Sequence, residues 1–67
     1  MVEISLAAAR VNAGFTQAEV AKYMRISNKT LSNWETGATE PSFADLNALA
    51  ALYKMPLNCL RVPTKSA

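Results

Sequence analysis

Asn28, Lys29, Ser32 and Asn33 fall at positions i, i+1, i+4 and i+5, so on a helix they share one face. That face offers two amides, an ammonium and a hydroxyl, and no carboxylate. An ordinary solvated helix face mixes Glu with Lys, whereas one that presents Asn and Lys without acids suits base edges and phosphates. Asn pairs bidentately with adenine and Lys with guanine, so Asn28, Lys29 and Asn33 are the natural readers and Ser32 fits either. Taken alone, these residues leave a plain polar face equally open.

Other chemistry finds little here. The chain has no His to act as a base, no Gly-rich phosphate loop and no acid pair beside a nucleophile, so no catalytic residue is expected. A single Cys without His builds neither an intramolecular disulfide nor a zinc site, so no metal and no cofactor are expected. Asn28-Lys29-Thr30 fits a glycosylation acceptor, a pattern too short to carry weight without secretion. No stretch approaches the ~20 apolar residues that span a bilayer, and the N-terminus lacks the basic-then-apolar plan of a signal peptide. No membrane association is expected, and the cytoplasm is the expected compartment.

The polar face needs a helix, and the surrounding residues supply one. Ser27 is a good N-cap, Gly37 a good stop, and Leu31 and Trp34, three apart, turn inward from the opposite side. Just before it, Thr16-Gln17-Ala18-Glu19 is a capping box that opens another helix, with Val20, Ala21 and Met24 on its apolar side and Tyr23 alongside. That helix stops near Met24, and about three residues separate the pair. Two short helices joined by a tight turn, the second polar outside, is the layout that sets one helix into a DNA major groove.

The remainder reads as scaffold. A first helix is expected from about Ser5 to Asn12, with Leu6 and Ala9 inward and Gly14 in the left-handed position that ends it. Ser42 caps a fourth helix whose Phe43, Leu46, Leu49, Ala50 and Tyr53 form an inward stripe. A short fifth helix is expected over Leu57 to Leu60, with Pro56 near its first turn, and residues 61–67 read as a frayed tail. Hydrophobic residues make up 51% of the chain, but no β-branched run alternates with polar residues, which argues against a sheet. With 67 residues there is room for one core and one domain.

Several motifs keep register together: Arg10, Ala13-Gly14-Phe15-Thr16-Gln17, the cap Ser27, Glu35-Thr36-Gly37, and later Glu40-Pro41-Ser42 and Leu57-Asn58-Cys59-Leu60. From Leu6 to Leu60 the chain resembles the helix-turn-helix family of lambdoid phage repressors and Cro, the XRE family. The resemblance covers roughly four-fifths of the chain. It implies an all-α, five-helix lambda-repressor-like domain whose second and third helices form the helix-turn-helix, and a sequence-specific transcription regulator that binds double-stranded DNA. It further implies an ion pair between Arg10 and Glu35 that braces the reading helix from behind.

Gln17, Lys22, Arg25, Ser27, Thr36 and Thr39 are expected to position the chain on phosphates, Gln17 and Ser27 because they sit at helix N-termini. Arg25 departs from the family, which commonly has Gly at that left-handed turn position. The loop Ala38-Thr39-Glu40 also departs, lacking the basic residue often found there. A formal net charge of +2 is slight for a DNA binder. A single copy should bind weakly, and a homodimer on a palindromic site is therefore expected, with two reading helices about 34 Å apart. Met55, Leu57, Cys59, Leu60 and Val62 are its expected seam, Val62 foremost, with Leu57 and Leu60 equally placed to cap the core.

No small-molecule effector is evident. A rival expectation is a protein-binding module of the same fold, such as an antitoxin-like partner. The DNA-binding part of a longer regulator is a third, since a chain ending soon after the fifth helix fits both that and a complete Cro-like protein.

Overall fold

A serine or threonine stands ahead of each α-helix in the computed structural model, which describes residues 3–62. Ser5 caps α1 (Leu6–Asn12), Thr16 caps α2 (Gln17–Met24), Ser27 caps α3 (Asn28–Thr36) and Ser42 caps α4 (Phe43–Leu52). Each hydroxyl oxygen accepts from the backbone N–H three residues on, at 3.0 to 3.1 Å, satisfying a donor that the helix cannot. At α2 the box is reciprocal, with the Thr16 N–H donating to Glu19 Oε1 at 2.8 Å.

The helix ends share a second rule. After α1, α2 and α4 a left-handed residue is followed at once by an apolar one: Gly14-Phe15, Arg25-Ile26 and Lys54-Met55. In each case the apolar residue's N–H reaches back five residues, Phe15 to Arg10 O, Ile26 to Ala21 O and Met55 to Ala50 O, at 2.9 to 3.1 Å. These are Schellman closures, and all three apolar side chains pack against the core, which holds the turn in place. Arg25 and Lys54 adopt φ values of 60° and 57°, strained for a residue with a Cβ. Arg25→Gly is expected to raise the unfolding free energy by about 1 kcal/mol, measured by urea denaturation.

The helices enclose one core of Leu6, Ala9, Val20, Leu31, Trp34, Leu49, Ala50, Tyr53 and Leu60. Among the described residues none of the helices is long and apolar enough to cross a membrane.

Four expectations need correction. The fifth helix is a single 3₁₀ turn, Leu57–Cys59, closed by Cys59 N–H donating to Pro56 O at 3.0 Å. Four residues are too few to nucleate an α-helix on their own, and the chain instead extends. Leu60–Arg61 forms β2, which lies parallel to β1 (Ile4–Ser5) with Ile4 opposite Leu60 and Ser5 opposite Arg61. The fold is therefore mostly helical with a two-residue parallel ribbon joining its two ends, and Arg61 of the expected tail is paired. Val62 of that tail packs against the core, and 63–67 lie outside the described residues.

Phe43, expected in the core stripe, is 75% exposed. It is the first residue of α4, where the Cβ leans toward the helix N-terminus, and it is not among the side chains packed with the core that Leu46, Leu49 and Tyr53 reach. Tyr23 is likewise exposed, at 65%, leaving Val20, Ala21 and Met24 as the inward side of α2.

Candidate nucleic-acid interface

Leu31 and Trp34 bury one side of α3 and thereby turn the other outward. Asn28 and Lys29 are exposed, Ser32 and Asn33 half-buried at the flanks. Among the described residues none of these four side chains is engaged in a hydrogen bond or an ion pair, so their donors and acceptors are available. The stretch from Val20 to Trp34 contains Lys22, Arg25 and Lys29 and no acid. The acids on either side are occupied, Glu19 in its capping box and Glu35 inside the fold. The outer surface of α2, the turn and α3 is therefore positive despite the small net charge.

Ser27 spends its oxygen on the cap, accepting from the Thr30 N–H at 3.0 Å, and its hydroxyl lies 2.9 Å from that of Thr30. Thr30, not among the expected site residues, thus locks the first turn of α3. At the other end the Asn33 carbonyl gathers three donors: Gly37 N–H at 3.0 Å, Thr39 N–H at 3.3 Å and Thr36 Oγ1 at 3.3 Å. Thr36 and Thr39 therefore shape the loop that leaves α3, while both remain exposed. Lys22 and Arg25 are exposed as well, with no partner among the described residues.

Behind α3 lies a part-buried polar network. Arg10 Nε donates to Glu35 Oε2 at 2.8 Å and Nη2 reaches Oε1 at 3.5 Å, while Nη1 donates to the Phe15 carbonyl at 2.9 Å. Gln17 Nε2 donates to Glu35 Oε1 at 2.8 Å. The Glu35 side chain is only 4% exposed and that of Arg10 14%. A carboxylate this deep stays tolerable because three donors surround it. Gln17, expected on a phosphate, thus has one amide N–H engaged inside the fold, and its primary amide carries a second.

Tyr53 packs its ring beside that of Phe15, centroids 6.4 Å apart, and its hydroxyl finds no partner among the described residues. Its pKa is pushed up to about 12, first by burial and then by the negative charge of Glu35, with Arg10 pulling the other way. A phenol whose pKa is raised on folding contributes stability that is complete below its unfolded value of 10.0 and vanishes as pH climbs through the folded one. About 2 to 3 kcal/mol should therefore be lost between pH 10 and pH 12. Tyr53→Phe is expected to remove that loss and to hold or raise stability at neutral pH, since it deletes an unpaired buried hydroxyl. Urea titrations of both proteins from pH 7 to pH 12 check it.

At the C-terminal end Leu60 is core, 8% exposed, and so adds little to any outer seam. Met55, Leu57 and Val62 are half-buried and lie against the core, and Cys59 is half-buried with a free thiol.

A capped pair of helices closed by a left-handed turn, with a polar, acid-free face on the second, defines a helix-turn-helix. The family model for the helix-turn-helix matches residues 6–58, and the chain belongs to that family, of XRE, Cro and repressor type. No curated protein and no solved structure matches the chain. The family is one of DNA-binding transcription regulators and is typically non-enzymatic.

Proposed function

We propose that this protein is a sequence-specific transcription regulator of phage or bacterial type, a Cro-like repressor acting in the cytoplasm, that binds a palindromic operator as a homodimer with α3 in the major groove. The observation that carries the reading is the unengaged, acid-free face of Asn28, Lys29, Ser32 and Asn33, braced from behind by a part-buried network. Those four residues read base edges. Lys22, Arg25, Ser27, Thr36 and Thr39 sit on phosphates, together with the open N–H groups of the first turns of α2 and α3. A net charge of +2 supports two copies per site, because one copy neutralises few phosphates. The half-exposed Met55, Leu57, Cys59 and Val62 are the available seam.

Selection of bound sites from a random duplex pool tests this. A palindromic consensus with half-sites about one helical turn apart is the expected result, and sedimentation on that site should show two chains per duplex. A pool without a consensus would point to a protein partner for the same face. One chain per selected site would remove the dimer.

A further inference from the structure

We infer that the outer face of α4 is a docking surface for a second copy of this chain, with the two helices antiparallel and centred on Asn47. The inference rests on the homodimer reading and places its seam on α4.

Helix α4 buries Leu49 and Ala50, with Tyr53 buried just past its end, and so turns its other side to solvent. Phe43, Ala44, Asn47 and Ala51 stand on that side, at i, i+1, i+4 and i+8, and all four are exposed. None of them is charged, and Phe43, at 75%, is the most exposed large apolar side chain among the described residues. Met55, Leu57 and Val62 already lie against the core of their own chain, so they have less apolar surface left to offer. A face without charge also spares two chains of net charge +2 the cost of setting like charges together.

What fits this face is the face itself. In an antiparallel pair centred on Asn47, Ala51 of one copy stands level with Phe43 of the other, because each lies four residues from the centre. The small side chain of Ala51 leaves room for the Phe43 ring, which becomes an aromatic anchor at each end of the seam. The two Asn47 side chains meet at the two-fold axis, where each primary amide has donors and an acceptor for the other. Seven residues out, the same register brings Glu40, just ahead of α4, level with Lys54, just past it, and symmetry makes that pairing twice. Both are exposed, and neither has an ion-pair partner among the described residues. The face is thus complementary in charge to its own reverse. With 10 residues α4 is about 15 Å long, too short to bury the roughly 800 Å² per partner of a standard interface. The pair is therefore weak in the free protein and firm on DNA, where two half-sites hold the copies side by side.

Asn47→Cys combined with Cys59→Ala puts one thiol per chain on the proposed axis, and Val11→Cys combined with Cys59→Ala puts one on an exposed position of α1 for comparison. In oxidising buffer at millimolar concentration and without DNA, the Asn47→Cys protein should form a covalent dimer about tenfold faster than the Val11→Cys protein. Adding Phe43→Ala should slow that cross-linking about tenfold. Adding Glu40→Lys or Lys54→Glu sets like charges level with each other and should slow it about fivefold, and the two reversals together should restore it. Equal rates for the Asn47→Cys and Val11→Cys proteins overturn the seam. A parent that cross-links through Cys59 as fast as the Asn47→Cys protein overturns it too and returns the contact to the C-terminal end. Charge reversals that do not compensate overturn the antiparallel register. If the parent selects no DNA site, the DNA reading falls, and cross-linking of the free protein still decides the seam.

Discussion

Glu35→Ala should cost about 3 to 5 kcal/mol of folding stability, because it leaves a largely buried guanidinium and a half-buried amide without their acceptor. Arg10 Nε and Nη2 and Gln17 Nε2 all donate to this carboxylate, and of the four bonds in the network only the one to the Phe15 carbonyl survives. Water cannot readily replace the acceptor, since the Glu35 side chain is 4% exposed and that of Arg10 14%. A domain of this length holds roughly 3 to 10 kcal/mol in total at ~0.05 to 0.15 kcal/mol per residue, so the variant should be largely unfolded near physiological temperature. Circular dichroism melts check it, with Glu40→Ala as the comparison. Glu40 is exposed and outside the network, and its loss should stay within about 0.5 kcal/mol. Equal melts for the two variants would show that the network contributes nothing.

Asn28→Ala, Lys29→Ala and Asn33→Ala should each cost about 1 to 3 kcal/mol of affinity for the selected operator, a loss of roughly 5- to 150-fold. Each should also relax preference at one position per half-site, adenine for the two amides and guanine for the ammonium. Their side chains make no bond within the described fold, so helicity and melting should hold. The loss is then one of reading and not of structure. Quantitative binding to the consensus and to single-base variants measures it, and three variants that bind the consensus as tightly as the parent would show that α3 does not read.

Much of this was legible before any coordinates because it is local. The N-caps Thr16, Ser27 and Ser42 follow from a hydroxyl side chain placed three residues ahead of the N–H it satisfies, an interaction that needs no distant partner, and Ser5, read as the first residue of its helix, proves to cap it in the same way. The left-handed turns at Gly14 and Gly37 are equally local, and the alternation of Leu31 and Trp34 with the polar face is set by the 3.6-residue period. The turn at Lys54 went unread, although a signal was present: Lys54-Met55 repeats the basic-apolar pair Arg25-Ile26 that closes α2.

What the sequence by itself determined is the set of helices α1 to α4, their caps, and which side of α3 faces out, since caps and periodicity act within a few residues. Only the tertiary structure decided the rest. The ribbon joining Ile4 to Leu60, the place of Leu60 in the core, which the sequence left open against the seam, and the bond from Gln17 to Glu35 each depend on residues far apart in the chain. Two residues of strand have no period to read, and an amide at a helix start looks the same whether its partner is a phosphate or a carboxylate. The Arg10–Glu35 pair lay between these cases: the family resemblance implied it, but its burial, which sets its energetic weight, followed only from the packing of α1 against α3.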